Sequence, residues 1–334
     1  PRFQALYVDS RERLFVAGRL PLYGDSSVDS GGPGKVMSDR ALPELLQFAV
    51  RSSDPQDRLR FWALINDATN RMPIFAYNNT WGLFNVDEVP TDIPEVVWEW
   101  PATEVLGGNG IALLRSGDDR GVFMRYGATL NHGQRDELAI NLYAGGRELG
   151  YDPGYGMAHY RRGWTHETVS HLAAVVNETG QQGSGGSLIF ATGAPGFAAV
   201  EASDPGAYAH QGVSVYRRLV ALVDSDPKTS YVVDLFRVLG GNVRDYSFHS
   251  WSTEFSTEGL EFGPKEPGSL GNPDYSWHNQ IGVDEKIIPY RHQGFYWSPP
   301  PGNGYGFLGN PRRASGDTAW SATWRAADRR VKLM

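Results

Sequence analysis

The sequence predicts a mainly β protein, an antiparallel β-sandwich preceded by a short helical segment. Three observations carry this. Strand-length apolar runs bounded by Gly, Asn, Asp and Pro succeed one another from about residue 105, and helical periodicity is confined to the first hundred residues. Forty glycines, 21 prolines and 12% aromatics suit many turns and strands better than a helical bundle.

Taken in order, residues 1–40 alternate short strand-like pieces with the loop "YGDSSVDSGGPGK". Residues 42–69, "LPELLQFAVRSSDPQDRLRFWALINDAT", read as two helices. The "SSDP" step supplies a stop, an N-cap candidate and a proline for the first turn of the second helix. The proline-punctuated "VPTDIPEVVWEWP" reads as an extended crossing, dividing residues 1–100 from a sandwich over 101–334. Beyond Gly107 come "GIALLRSG", "RGVFMRYGA", "ELAINLYAGGRELGYD", "LAAVVN", "GSLIFATGA", "VSVYRRLVALVD" and "SYVVDLFRVLG", each of strand length. Residues 250–315 are aromatic and Gly/Pro-rich with little periodicity, and read as long ordered loops lying on the sandwich. The opening "PRFQALYVD" reads like the middle of a protein and "WSATWRAADRRVKLM" stops inside a strand-like pattern, so a fragment or processed chain is expected.

Bulk properties narrow the function classes. A chain of 334 residues can bury a large core. Its net charge of −7 gives no support to nucleic-acid binding, though a local basic cluster can still grip an acidic ligand. The absence of cysteine removes disulfides, thiolate metal sites and cysteine nucleophiles. No apolar run reaches the length of a membrane span.

One stretch concentrates the chemistry: "NHGQRDELAINLYAGGRELGYDPG", residues 131–154. His132, Gln134 and Asp136 share one parity with Leu138, Ile140 and Leu142, which on a strand puts a polar trio in line with a core face. Such a row is costly unless it forms a site or a hydrogen-bonded network. The Gly145-Gly146 pair signals a hairpin pairing 144 with 147. That register sends Asp152 to the face opposite Gln134, unless a bulge at the turn or near Gly150 brings it round. Otherwise Asp152 simply begins the "DPG" turn.

Competing motifs are weak. In "WTHETVSH", His166 and His171 do not have the i, i+4 spacing that a metalloprotease helix needs. "GGNG" at 107–110 lacks a phosphate-loop lysine, and "GSGGS" at 183–187 is not a nucleophile elbow. The aromatic clusters "WHNQ", "RHQGFYW" and "GYGFLG" can stack on sugar rings or simply cover the sandwich.

Together, "RYGATLNHGQRDELAINLYAGGRELGYDPGY", "GWTHETVSHLAAVVNETGQ" and "YRRLVALVDSDPKTSYVVDLFRVLGG" resemble the β-sandwich part of the heparinase II/III-like polysaccharide lyases. The likeness covers roughly residues 105–250, and "GRLPLYGDSS" with the following helices resembles the end of that family's α/α toroid. The resemblance implies cleavage of an acidic polysaccharide, such as heparan sulfate or alginate, by β-elimination. It makes His132 the histidine that the sandwich contributes to catalysis, with Asn131 and Arg135 beside it. Arg125 and Arg161 become uronate-carboxylate binders by charge and position, and Tyr155 lies at the sugar-facing edge. It also maps the three ligands of a structural zinc onto Gln134, Asp152 and His171. Gln134 stands where a histidine is expected, and an amide oxygen is a poor zinc ligand. The expectation is therefore no required cofactor, and a substitute hydrogen bond from Gln134 to Asp152 or His171.

The resemblance places the tyrosine acid and the asparagine–histidine carboxylate clamp in the toroid, supplied by the same precursor or a companion chain. Secretion or a periplasmic location follows from the substrate class. Two rivals keep the fold and change the activity: a uronate C5 epimerase, and a non-catalytic carbohydrate-binding or structural sandwich.

Overall fold

A computed structural model describes residues 21–24, 42–69, 94–96, 101–117, 119–129, 133–145, 147–150, 152–154, 161–250, 252–275, 291–292, 296–326 and 329–334. The two expected helices are α1 (Leu42–Arg51) and α2 (Pro55–Thr69). Asp54 caps α2, its Oδ1 accepting the amides of Gln56 at 2.8 Å and Asp57 at 3.4 Å, and Pro55 occupies the first helical position. The helices pack through Phe48 and Phe61, whose ring centroids lie 5.4 Å apart.

Beyond residue 101 the chain forms antiparallel sheets. The first is β1 (Thr103–Leu106), β2 (Ile111–Ser116), β3 (Arg120–Arg125), β4 (Ile140–Ala144) and β5 (Arg147–Gly150), in that spatial order. After β6 (Ala174–Val176) comes a second sheet of β7 (Ser187–Ala194), β8 (Phe197–Ser203), β9 (Val215–Asp226) and β10 (Thr229–Leu239), ordered β10-β9-β8-β7. β11 (Arg244–Tyr246) pairs with β6. Further on, β12 (Phe255–Glu258) precedes the two-residue strands β13 (Arg291–His292) and β14 (Tyr296–Trp297). The last pair, β15 (Ser321–Ala326) and β16 (Arg329–Leu333), joins β12 in a small sheet. Part of the expected loop region after residue 250 is thus strand, because Phe255–Glu258 finds its partner about sixty residues later.

The two main sheets face each other, as the period of two dictates. Ala112, Leu114, Val122, Met124 and Ile140 on one side meet Ala198, Val200, Ala202, Val220 and Leu222 on the other. Arg218 crosses this core fully buried, donating to the carbonyls of Leu138 and Leu172 at 2.6 Å and to Asp234 and Tyr246 at 2.7 Å. The outer face of the first sheet is also covered: Ile111, Leu113, Phe123 and Tyr143 pack with Tyr23. Within the two main sheets, β1 and β8 fall outside the expected runs. The latter, "FAAVEAS", is rich in alanine and so carries little intrinsic β signal.

The strand-parity expectation for residues 132–142 is corrected. His132 lies outside the described residues, and 133–139 are loop and turn, so β4 starts only at Ile140. The chain turns through Ala139 N–H to Asp136 O, and Leu138 adopts φ +60°. The turn relieves the conflict in the polar row: it carries the acids of 136 and 137 towards Arg125 while Leu138 and Ile140 enter the core.

Candidate functional site

The hairpin β4–β5 delivers Asp152. Ala144 pairs with Arg147 as expected, and the register then slips between Tyr143↔Glu148 and Leu142↔Gly150. That irregularity near Gly150 brings Asp152 round. Its two oxygens take both of the anticipated roles. Oδ1 accepts the Gly154 amide at 2.7 Å and holds the turn, while Oδ2 meets His171 Nδ1 at 3.0 Å. Gly154 has φ +58°, a conformation glycine adopts without strain.

Gln134 joins the same turn, but not as expected. Its amide Nε2 donates to the Gly154 carbonyl, and neither Asp152 nor His171 is its hydrogen-bond partner. The glycine-led turn puts a carbonyl in reach first, and Asp152 and His171 already satisfy each other. Gln134 Oε1 and His171 Nε2 are buried with no hydrogen-bond partner among the described residues. Burial alone lowers the basicity of His171, yet Asp152, through charge and hydrogen bond, and Asp136 outweigh it, and the net shift is upward.

Beside this lies a second buried group. Arg125, 1% exposed, pairs through Nη1 with Asp136 Oδ1 at 2.8 Å and Glu137 Oε1 at 2.9 Å, and Nη2 donates to Ala128 O at 2.7 Å. The expectation that Arg125 grips a substrate carboxylate is therefore corrected: its charge is spent inside the protein on two acids that the turn at 136–139 presents. Burial pushes the Glu137 carboxyl up to about 7 despite the opposing pull of Arg125, and pushes Asp136 upward too. Gln181, which closes the stretch "VVNETGQ", locks this loop: its Oε1 accepts Glu137 N–H at 2.7 Å and its Nε2 donates to Glu137 O at 2.9 Å. Thr129 Oγ1 donates to Glu137 Oε1 at 3.2 Å, which ties the end of the described segment at 129 to residue 137.

Arg135 differs from Arg125. Its side chain is 42% exposed, and one guanidinium nitrogen bonds Glu167 Oε2 at 2.8 Å. Gly180 permits the approach, since a Cβ there would lie 2.5 Å from Arg135 Nη1. Asn131, His132 and Tyr155 lie outside the described residues, as does the side chain of Arg161, whose backbone opens the π-helical turn Arg161–Thr165. Glu137, Glu167 and Gln181 were missed as site residues. Only Gln181 had a signal in the sequence, while the two acids look like ordinary surface charges until their burial is seen.

Comparison with known families shows what this frame resembles: the family described as "Heparinase II/III-like, C-terminal" matches residues 106–261. Over those residues the sandwich is similar to a heparinase II/III-like C-terminal domain. Among solved structures, a heparinase III is similar at TM-score 0.51 and 12% identity, over 78% of this chain and 39% of that one. A second heparinase III gives 0.50 and 13%, over 79% and 40%. The heparan sulfate lyase HepC from Pedobacter heparinus gives 0.47 and 14%, over 77% and 36%. At these identities the likeness is one of fold, and the chain spans about 40% of the heparinase III structures it matches. No curated protein sequence matches the chain.

Over the matched residues Gln134, Asp152 and His171 gather around one turn, where Gln134 Oε1 and His171 Nε2 have no partner among the described residues. One position offers an amide oxygen, and the imidazole and the carboxylate are already bonded to each other. Among the described residues no helix is long and apolar enough to cross a membrane.

Proposed function

We propose that this chain is the sandwich-bearing part of a polysaccharide lyase that cleaves a uronic-acid polymer by β-elimination. The observation that carries this reading is the match to a heparinase-like domain over residues 106–261, within which Thr129 and Gln181 bind Glu137 in a buried frame. Elimination needs three things: neutralisation of the uronate carboxylate, removal of the C5 proton and protonation of the leaving O4 oxygen. His132 is assigned to proton movement at C5, with Asn131, Tyr155 and Arg161 bordering the sugar. Arg135 is the carboxylate binder best supported, because its guanidinium is anchored on Glu167 and still open to solvent. The tyrosine acid and the carboxylate clamp come from a helical toroid, in a longer protein or a companion chain. The frame works without zinc, and the substrate class places the protein outside the cytoplasm.

A panel of acidic glycans, heparan sulfate and alginate first, tests the reading with protein containing the toroid. A lyase generates an unsaturated uronate that absorbs in the ultraviolet. Exchange of the C5 hydrogen without cleavage would make the protein an epimerase, and binding with neither would make it a carbohydrate-binding module. Prolonged chelation is expected to leave activity and thermal midpoint unchanged, and loss of both with recovery on added zinc would refute the metal-free frame.

A further inference from the structure

Among the described residues, the sheet β10-β9-β8-β7 ends at β10 with no strand paired on its outer side. β10 runs eleven residues and is bonded to β9 on one side, and on its other side it makes no main-chain hydrogen bond among the described residues. Other edges of the two main sheets are defended. β1 and β5 are four residues long, and β7 carries a bulge near Leu188 and accepts a hydrogen bond from Thr103 through Thr192 O. β10 has no proline, and its register irregularity is confined to Thr229/Ser230, beside the hairpin.

Its two faces are unequal. Val232, Phe236 and Val238 pack on the core, and Asp234 is held by Arg218 at 2.7 Å, so the strand is fixed in place. The alternate residues face outward and are apolar but for Thr229 and Arg237: Tyr231 is 51% exposed, Leu235 54% and Leu239 61%. A long, regular, apolar edge is a template for another strand.

We propose that β10 pairs antiparallel with β10 of a second copy of this chain, about a two-fold axis at Leu235, joining two four-stranded sheets into one. Self-complementarity selects this occupant and this register. In an antiparallel pair centred on an odd position, outward residues oppose outward residues. Centring on Leu235 sets Leu235 against Leu235, and Tyr231 of each copy against Leu239 of the other. The three most exposed apolar side chains of the strand are then brought into cross-strand contact. Asp234 falls opposite Phe236 and Arg237 opposite Val233, so no like charges meet. Centring on Asp234 would oppose two aspartates. The proposal does not depend on the enzymatic reading.

The chain has no cysteine, which makes a covalent test clean. Directly opposed residues of an antiparallel pair lie within disulfide reach. Leu235→Cys is expected to give a disulfide-linked dimer under mild oxidation, whereas Val233→Cys, which faces Arg237, stays largely unlinked. Equilibrium sedimentation of the 334-residue chain should show a reversible dimer, and Leu235→Arg should raise its dissociation constant by about 100-fold. Because Leu235 is exposed, the Arg variant should keep its thermal midpoint as a monomer. A chain that stays monomeric at all concentrations overturns the proposal. So does a dimer indifferent to Leu235→Arg, which must use another surface, or equal cross-linking at both cysteine positions.

Discussion

Asp152 and His171, nineteen positions apart in sequence, are joined by a 3.0 Å hydrogen bond where neither side chain reaches solvent. The contact depends on the slipped register at the end of β5, which turns the chain so that Asp152 leaves the strand facing the loop that carries His171. The same turn binds Gln134 through Gly154, so one glycine-led corner ties together the β3–β4 loop, the β4–β5 hairpin and residue 171.

Removing one member of that pair should therefore act on folding. Breaking a buried ionic pair by deleting one partner costs about 3–5 kcal/mol. Asp152→Ala is expected to reach that range in urea denaturation, because it also strips the Gly154 amide of its acceptor. Asp152→Asn keeps an acceptor for that amide and should lose less. Equal stability of Asp152→Ala and wild type would show that the pair contributes nothing.

Arg125 gives a second test. It holds Asp136, Glu137 and the Ala128 carbonyl at once, so Arg125→Met leaves two buried acids without a cation. The loss should again be about 3–5 kcal/mol, with little recovery in Arg125→Lys, whose ammonium lacks the planar fork. A fully stable Arg125→Met whose only defect is weaker substrate binding would restore the carboxylate-binding role corrected above.

Glu137 should write a pH dependence into stability. Its carboxyl titrates at about 7 in the folded protein, raised by burial above its usual range, so the fold binds its proton more tightly than the unfolded chain does. The sign follows. This group's contribution is most favourable at or below the unfolded value, declines as pH rises towards 7, and is flat above it. The decline amounts to about 3 kcal/mol. Glu137→Gln keeps an oxygen for Arg125 and Thr129 and places its NH2 where Oε2 has no partner, so it should lose this slope and be the more stable protein at pH 8. Identical slopes between pH 4.5 and 8 in the two proteins would contradict the assignment.

The pattern of what was legible follows from which residues carry local signals. Turn chemistry is local: "SSDP" and Gly145-Gly146 announced α2 and the hairpin, and both are where they were expected. Strand-length apolar runs between turn residues announced β2, β3, β9 and β10, whereas the alanines of β8 did not. The polar row at 132–136 misled because alternation implies a face only if the chain stays extended, and a turn centred on tertiary contacts with Arg125 intervenes. Which charges are buried is a property of the assembled layers. Arg125 looked like a ligand-binding cation, and nothing in the sequence marks Glu137 and Glu167 as other than ordinary acids, yet packing buries all three.

The two histidines are assigned different roles in the proposed lyase. If the chain works within a complete lyase, His132 serves at C5 and touches substrate, while His171 is buried and bonded to Asp152. A proton-transfer group contributes about 10²–10⁴-fold in rate. His132→Ala should therefore cut kcat by about that factor and leave the thermal midpoint almost unmoved. His171→Ala should lower stability first, with activity per folded molecule largely kept at low temperature. Protein containing the toroid is required, since the tyrosine acid and the carboxylate clamp are assigned to it. Turnover and denaturation measured on the same preparations distinguish the two roles. Full activity in His132→Ala, beside a stable but inactive His171→Ala, would reverse them.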